Sequence, residues 1–325
     1  MEMVRITRLT LVTFAAALAA CGGPAARAPA ATTPPVAAAP APADSVESPG
    51  DVDAPPAEVD EPPPPEPEEP PPEPVTMTFE PDPPKVELLA RGKGKRALLR
   101  YQAAVGDPAD CTIVMDMTAA AAVTVPLPTT TMSWTGKVTA VGKGTFTTSA
   151  LVDVLDIAAG TDAVTQGAGD AMRAKLGPML NGTIESTMTD RGIPQKTSFT
   201  SLGPLDPETA LGMQSGAGGG MIMPEQPVGV GARWRVTRVD DRGVVVTTTV
   251  ATFELVGRKG DAAMIHGSVE AVGTSALAPA ATSHGTSETT FRGDLCSAST
   301  TTITTEIPAA SMTIHMVMET RPRVR

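Results

Sequence analysis

The chain has 325 residues, of which 41% are hydrophobic and only 3% aromatic, and its formal net charge is −11 at pH 7. The charge is unevenly distributed: residues 22–76 contain 11 acidic residues and one arginine, whereas residues 77–325 contain 24 acidic and 22 basic residues. A nearly neutral region with few aromatic residues lacks the basic field and the stacking platforms that nucleic acids require. The composition therefore excludes a typical nucleic-acid-binding protein.

The first 20 residues have the organisation of a secretory signal. Arg5 and Arg8 precede an apolar run, Leu9–Ala20, which ends in small residues directly before Cys21. A run of about 12 residues is too short to remain as a helix across a hydrocarbon core of ~30 Å. We therefore predict that residues 1–20 are a signal peptide.

The end of this segment, Leu18-Ala19-Ala20-Cys21, resembles the lipobox of bacterial lipoproteins. The resemblance implies cleavage before Cys21 and acylation of its thiol, so that lipid chains such as palmitate anchor the mature protein to a membrane. In that family an aspartate after the cysteine favours the inner membrane. Because Gly22 occupies this position, the resemblance favours an outer-membrane location in the cell envelope. The alternative is an ordinary signal peptide followed by an incidental cysteine.

Residues 21–76 are predicted to be a lipidated N-terminus and a disordered tether. Residues 22–76 hold 18 of the 33 prolines, many alanines and no aromatic residue, so they cannot bury a hydrophobic core. Proline runs favour polyproline II at ~3.1 Å per residue, which gives a contour of about 170 Å. The tether is either a spacer that holds the domain away from the membrane within the cell envelope, for example across the periplasm, or only a solubilising segment. One folded domain, residues 77–325, remains.

Alternating runs rich in valine, threonine and isoleucine dominate this domain and predict a mostly β fold. The predicted strands are Lys85–Arg91, Ala97–Ala104, Cys111–Thr118, Thr131–Val141, Thr145–Asp156, Gly182–Asp190, Gln195–Leu202, Arg233–Asp240, Val244–Val256, Ala262–Val272, Ser287–Cys296, Thr300–Ile307 and Ser311–Thr320. Glycine-containing turns, as in 141–144 and 190–192, predict sequential hairpins. We expect an antiparallel curved sheet or incomplete barrel with one or two short helices.

Two segments have helical signals. Asp162 is placed to cap a helix that begins at Ala163, carries Ala168, Met172 and Leu176 on one face, and stops at Gly177-Pro178. Asp206-Pro207-Glu208 predicts a second, short helix to about residue 214. A helix laid in the concave face of a curved sheet resembles the architecture of the LolA and LolB families of envelope carriers.

A second resemblance is local. Residues Met223–Trp234 contain Pro224, Val228, Gly231 and Trp234 in the spacing Pro-x3-Val-x2-Gly-x2-Trp. This stretch resembles one that precedes a long strand in an uncharacterised domain family of bacterial envelope lipoproteins. The resemblance implies a location and a local structure, and it implies no activity.

If Cys21 is acylated, Cys111 and Cys296 remain. An even number of cysteines in an oxidising compartment predicts a disulfide, which would close a loop of about 185 residues and contribute ~4–5 kcal/mol in the chain-entropy model. Two buried free thiols are the alternative.

Methionine is the unusual component of the domain. Met115 and Met117, and Met312, Met316 and Met318, each lie on a single strand face, and Met172 lies on the helix face named above. Flexible thioethers can line a cavity for varied apolar ligands or simply fill a core that lacks aromatics. These six methionines are the candidate ligand-facing residues. A copper(I) site is a third interpretation, although no supporting histidine or cysteine cluster accompanies them.

No catalytic or metal-binding pattern is evident. His266, His284 and His315 are far apart in sequence, no nucleophile-elbow motif occurs, and the glycine run 216–223 lacks the Gly-Lys-Ser/Thr ending of a phosphate loop. We therefore predict a protein that is not an enzyme and has no cofactor or metal. Its predicted function is that of a lipid-anchored binding module for an apolar ligand or an envelope protein. The alternative is a structural or assembly lipoprotein without a small-molecule ligand.

Overall fold

The computed structural model describes residues 73–205, 221–241, 245–275, 278–308 and 311–323. These residues form one antiparallel sheet of 13 strands that is curved but not closed, together with one helix and a 3₁₀ turn. The prediction of a curved, mostly β fold is confirmed. Within the described ranges, no helix is long and apolar enough to cross a membrane.

The sheet is built from two meanders. The strands are β1 Val75–Phe79, β2 Lys85–Ala97, β3 Cys111–Ala120, β4 Thr124–Gly142, β5 Thr145–Ile157, β6 Thr183–Thr189, β7 Pro194–Ser201, β8 Val228–Asp241, β9 Val245–Lys259, β10 Ala262–Ser275, β11 Ala278–Phe291, β12 Ala298–Ile307 and β13 Met312–Pro322. Strands β3 to β7 form one meander and β8 to β13 the other, and pairing of β3 with β13 joins them. Glycines with positive φ at Gly144, Gly192 and Gly260 allow the tight turns between successive strands.

The two edges of the sheet are β1 and β2, which are consecutive in the chain. Among the described strands, β1 pairs only with β7, and β2 pairs only with β8. Only residues 80–84 separate Phe79 from Lys85, and an extended chain of that length spans about 20 Å. The edges are therefore linked by a short covalent connection, so that the open sheet curves most of the way around its interior.

The helix, α1, comprises Ala163–Leu176 and begins where it was predicted. The Asp162 carboxylate accepts hydrogen bonds from the backbone amides of Val164 and Thr165, and Thr165 completes a capping box. The 3₁₀ turn Gly177–Met179 follows at once because Pro178 cannot continue the α-helical pattern. The helix packs against β4 and β5.

The structure differs from the sequence prediction in the length of several strands, including β2, β4 and β11, and in the following elements. Residues 97–104 were predicted as a strand, which is wrong, because their backbone bonds go to separate loops: the Tyr101 amide donates to Asp190 O and the Gln102 amide to Gly293 O. Strand β11 ends at Phe291 rather than Cys296, since Gly293 has a positive φ of 89°. Strand β1 was not predicted and begins two residues before the expected domain boundary. The second predicted helix and most of the 216–223 loop lie outside the described residues.

Inward-facing apolar residues form two clusters. The methionine core contains Ile113, Met115, Met117, Met132, Val152, Ile157, Met172, Leu176, Met179, Phe199, Ile303, Ile307, Ile314, Met316 and Met318. The aromatic core contains Leu99, Tyr101, Val138, Phe146, Ile222, Met223, Val228, Ala232, Trp234, Val236, Leu255, Ala263, Ile265 and Phe291. The first lies between α1 and the strands around β3 and β13, and the second lies against β8, β9 and β10.

Candidate functional site

The methionine core collects all the candidate ligand-facing residues. Met115 and Met117 reach it from β3, Met172 from α1, and Met316 and Met318 from β13. Met312 is partly buried at its margin. Sequence analysis did not include three further methionines that also pack here, namely Met77, Met132 and Met179. The pattern of even spacing therefore identified the right strand faces.

The methionine side chains are closely covered by their neighbours. Met115, Met172 and Met316 are each 3% exposed, Met117 is 4% exposed and Met318 is 5% exposed. A water-sized space beside a side chain would leave accessible surface on it. The thioethers therefore fill the region under α1 in this conformation, and a ligand would have to displace side chains to enter.

Helix α1 packs over one side of the methionine core, to which it contributes Met172 and Leu176. Gly167 and Gly169 lie within it, and each glycine lowers helix stability by about 1 kcal/mol relative to alanine. A Cβ on Gly169 would lie 3.4 Å from Pro128 Cγ, so the helix approaches β4 closely at this point. Arg173 Nη2 donates to Ile157 O at 3.0 Å and fixes the helix to the end of β5. Packing, rather than intrinsic propensity, thus holds the helix in place.

Several buried hydroxyl groups of the described strands are paired with each other across neighbouring strands. Ser283 Oγ and Thr305 Oγ1 lie 2.9 Å apart between β11 and β12, and Ser186 and Thr197 make a similar contact, 3.1 Å long, between β6 and β7. Buried hydroxyls that are hydrogen-bonded avoid most of the cost of desolvation. These pairs do not present free donors or acceptors to a ligand.

The loop 98–110 packs against the aromatic core. The Tyr101 ring lies 5.1 Å from Phe291 and 6.2 Å from Phe146, between centroids, and its hydroxyl donates to Met221 O at 3.2 Å. Burial raises the pKa of Tyr101 well above its ordinary value. The alternation of buried Leu99 and Tyr101 that resembled a strand comes from this insertion.

Arg100 ties this loop to the segment before β8. Its guanidinium donates to Pro224 O at 2.8 Å and to Glu225 O at 2.7 Å. Arg191, in the turn between β6 and β7, donates to Met223 O at 3.0 Å. Three separate loops are thereby joined through backbone carbonyl groups.

The local motif at residues 224–234 has a structural explanation. Val228 and Trp234 are fully buried, and Trp234 Nε1 donates to Ile222 O at 2.9 Å. Gly231 has a positive φ of 81°, and a Cβ on Gly229 would overlap the Lys93 backbone. The glycines thus allow β8 to approach β2, and the tryptophan anchors the strand.

Cys111 and Cys296 form a disulfide, as predicted, with their Cα atoms 5.6 Å apart. Cys111 begins β3, and Cys296 lies in the loop between β11 and β12. Neighbouring residues belong to different clusters, since Ile113 lies in the methionine core and Leu295 packs on the aromatic core. The disulfide therefore links the two cores.

The three histidines share the outer, solvent-facing side of the sheet. Antiparallel register places His266 opposite Glu288 and His284 opposite Glu270, and His315 Nδ1 lies 3.1 Å from Thr304 Oγ1. No three His, Cys, Asp or Glu side chains group as a metal site would require among the residues that the structure describes. All three histidine side chains are exposed.

A surface groove of about 360 Å³ lies on the same outer side, across β10 to β13. Its rim includes His266, Glu288, Glu319 and Arg321, and the His266–Glu288 contact is 3.8 Å. Small-molecule sites are usually concave with mostly apolar walls. This polar, open groove is a weak candidate for such a site.

Arg323 near the end of the described chain pairs with Asp153 on β5, and both contact Thr135. Partial burial raises the pKa of Asp153, but hydrogen bonds from Thr135 and Arg323 and the arginine charge outweigh it and hold that pKa below its usual value. The pair fastens the C-terminal segment to the sheet.

Four cations lie close together on β2 and form the basic edge, which we define as Arg91, Lys93, Lys95 and Arg96. All four side chains are exposed, and no acidic residue interrupts the run from 91 to 96. The nearly neutral charge of the domain as a whole conceals this local concentration, so these residues were not among the predicted site residues. The signal was available in the sequence Arg-Gly-Lys-Gly-Lys-Arg.

No protein-family model matches the chain, and no curated protein or solved structure shows significant similarity to it. The likenesses to the lipobox, to the carrier families and to the uncharacterised lipoprotein domain therefore stay predictions from the sequence.

Proposed function

We propose that the protein is a lipid-anchored module of the bacterial envelope that binds another envelope component through the outer surface of its β domain. The lipobox-like stretch ending at Cys21 supplies the anchor, and the proline-rich residues up to 76 supply the reach. Gly22 favours the outer membrane. The module acts without catalysis.

The disulfide is the observation that carries this proposal. Once Cys21 is assigned to acylation, only Cys111 and Cys296 remain, and these two are paired in the fold. Disulfides persist outside the reducing cytoplasm. The cysteine pairing and the N-terminal signal thus both support a location outside the cytoplasm.

The close packing of the methionine core favours an external partner over a ligand enclosed under α1. Five of the six candidate methionines are at most 5% exposed, and the inward-facing hydroxyls of Ser283 and Thr305 are paired with each other. A preformed carrier pocket would instead leave open apolar space of several hundred Å³. Binding through the surface requires no rearrangement of this packing.

Fractionation of cells that produce the full chain tests the anchor. The wild type is expected to sediment with membranes and to incorporate labelled fatty acid, whereas Cys21→Ser should move to the soluble fraction without label. Gly23→Ser, two residues after the modified position, keeps the thiol and is the matched control. Membrane sedimentation of Cys21→Ser equal to that of the wild type would show that the anchor is not at this residue.

A second candidate function, carriage of an apolar ligand, is supported by the methionine core itself. Thioether side chains repack easily, and the glycine-containing helix α1 is held mainly by packing, so displacement of α1 would open a flexible apolar site. Native mass spectrometry of full-length Cys21→Ser protein from an envelope extract tests this. A lipid-sized adduct that increases in Met172→Ala but not in the exposed-face control Val164→Ala would favour carriage, and its absence would favour the surface-binding function.

A further inference from the structure

We propose that the basic edge of β2 docks the domain onto an anionic lipid surface. This inference rests on the proposed membrane anchor, which keeps the domain near one bilayer. It identifies the face of the domain that contacts the lipid. A tethered domain meets its membrane at high effective concentration, so a weak surface contact becomes sufficient.

The charges of the basic edge are available for a partner. Arg91, Lys93 and Lys95 make no ion pair with any residue in the described ranges, and Arg96 donates only a long bond of 3.4 Å to Gly92 O. Elsewhere on β2, Lys85 is paired with Glu87 at 2.7 Å. The uncompensated part of the strand is therefore the six-residue run 91–96.

Exposed apolar side chains accompany these charges. Leu89 is 45% exposed and Leu98 is 53% exposed, at the two ends of the basic run, and Val230 on the neighbouring strand is 43% exposed. Cations beside exposed leucines suit the boundary between headgroups and acyl chains, where the charges meet lipid phosphates and the leucines leave water. A hydrophilic polyanion would use the cations but not the leucines.

The shape of the edge disfavours addition of a peptide strand. The register of β2 shifts between Leu88 and Ala90 and again between Lys93 and Ala97. Gly92 and Gly94 have positive φ values of 72° and 73°. Strand addition needs a regular row of free amide and carbonyl groups, whereas a lipid surface requires only exposed side chains.

The position of the edge also suits a membrane contact. The chain outside the described structure ends at residue 72, three residues before β1, and β2 is the next strand. The tether therefore joins the domain at the strand that precedes the basic edge in the chain.

Vesicle sedimentation with full-length Cys21→Ser protein tests the docking without the acyl anchor. The protein is expected to bind vesicles of phosphatidylglycerol and phosphatidylethanolamine but not of phosphatidylcholine alone. Binding should weaken as ionic strength rises from about 0.01 to 0.15 M. Changing Arg91, Lys93, Lys95 and Arg96 to glutamine should weaken it by about tenfold or more. The matched control changes Lys143, Lys196, Arg292 and Arg321 to glutamine, which removes the same charge from four separate elements and should alter binding less than about twofold.

A second variant distinguishes lipid from other anions. Leu89→Ser with Leu98→Ser should weaken vesicle binding several-fold while binding to soluble polyphosphate stays unchanged. Equal binding to neutral vesicles, equal loss in the control variant, or no effect of the leucine changes would overturn the proposal. Because the experiment uses Cys21→Ser protein, its failure leaves the anchor test unaffected, and the two proposals fail separately.

Discussion

The two cores of the domain bury their residues under one curved sheet but use different side chains. The aromatic core is fixed by directional contacts, such as the stacking of Trp234 on Phe253 at 5.5 Å and the edge contact of Tyr101 with Phe291. The methionine core has few aromatic rings and many thioethers, and a glycine-containing helix covers it. Rings with few rotamers specify one arrangement, whereas methionines tolerate several. The comparison indicates a rigid region beside an adaptable one.

The largest expected effect is in the rigid region. Trp234→Ala removes a fully buried ring and its hydrogen bond to Ile222 O, so the free energy of unfolding should fall by about 3–5 kcal/mol. Urea denaturation of full-length Cys21→Ser protein measures it, and Trp234→Phe, which keeps a ring, should lose less. A loss below about 1 kcal/mol would show that this core is not rigid.

Removal of the link between the cores should have the next largest effect. Replacing Cys111 and Cys296 by serine should lower the unfolding free energy by about 2–4 kcal/mol. The transitions of the two regions should then separate, as reported by tryptophan fluorescence and by far-ultraviolet circular dichroism. Dithiothreitol should affect the wild type and not the variant. Free thiols in the untreated wild type would contradict the pairing.

The adaptable region should tolerate a change of shape. Met316→Leu should cost less than about 1.5 kcal/mol because the neighbouring thioethers repack around a side chain of similar volume. Phe291→Leu in the aromatic core is the comparison, and it should cost more because it removes the ring contact with Tyr101. Equal costs, measured by urea denaturation, would remove the distinction between the cores.

The smallest expected effect concerns pH. The folded-state pKa of Asp153 is lowered, so its ion pair with Arg323 stabilises the fold above about pH 4 and is lost as the pH falls through the folded pKa. The contribution should be about 1 kcal/mol or less, since both side chains are partly exposed. Asp153→Asn should flatten the pH dependence of stability below pH 5, and Arg323→Gln should flatten it in part, because the hydrogen bond from Thr135 to Asp153 remains. An unchanged profile in either variant would contradict the pair.

Sequence patterns predicted the strands well where each strand pairs with the next strand in the chain. Alternation and glycine turns identified most members of both meanders, and Asp162 with Gly177-Pro178 identified both ends of α1. They failed at Ala97–Ala104 because the buried alternation of Leu99 and Tyr101 reflects insertion into a core, which the sequence alone does not distinguish from a strand. Strand β1 was missed because its pairing with β7 is distant and prolines flank it.

The candidate functional residues could also be predicted only in part. Even spacing placed the methionines on the correct faces, because a strand has a period of two. Whether they line a space or fill it depends on how α1 packs, which spacing does not encode. The basic edge was visible as a charge run, but its exposure follows from β2 being the last strand of the sheet.

The placement of β1 and β2 at the sheet edges has a consequence for synthesis. These strands leave the ribosome first, yet Thr76 contacts Thr200, 124 residues later, and β2 must wait for β8. Contacts between such distant segments form slowly. The N-terminal strands therefore stay without partners until much of the chain has emerged, and this interval is when the growing protein is most exposed to aggregation and most dependent on chaperones.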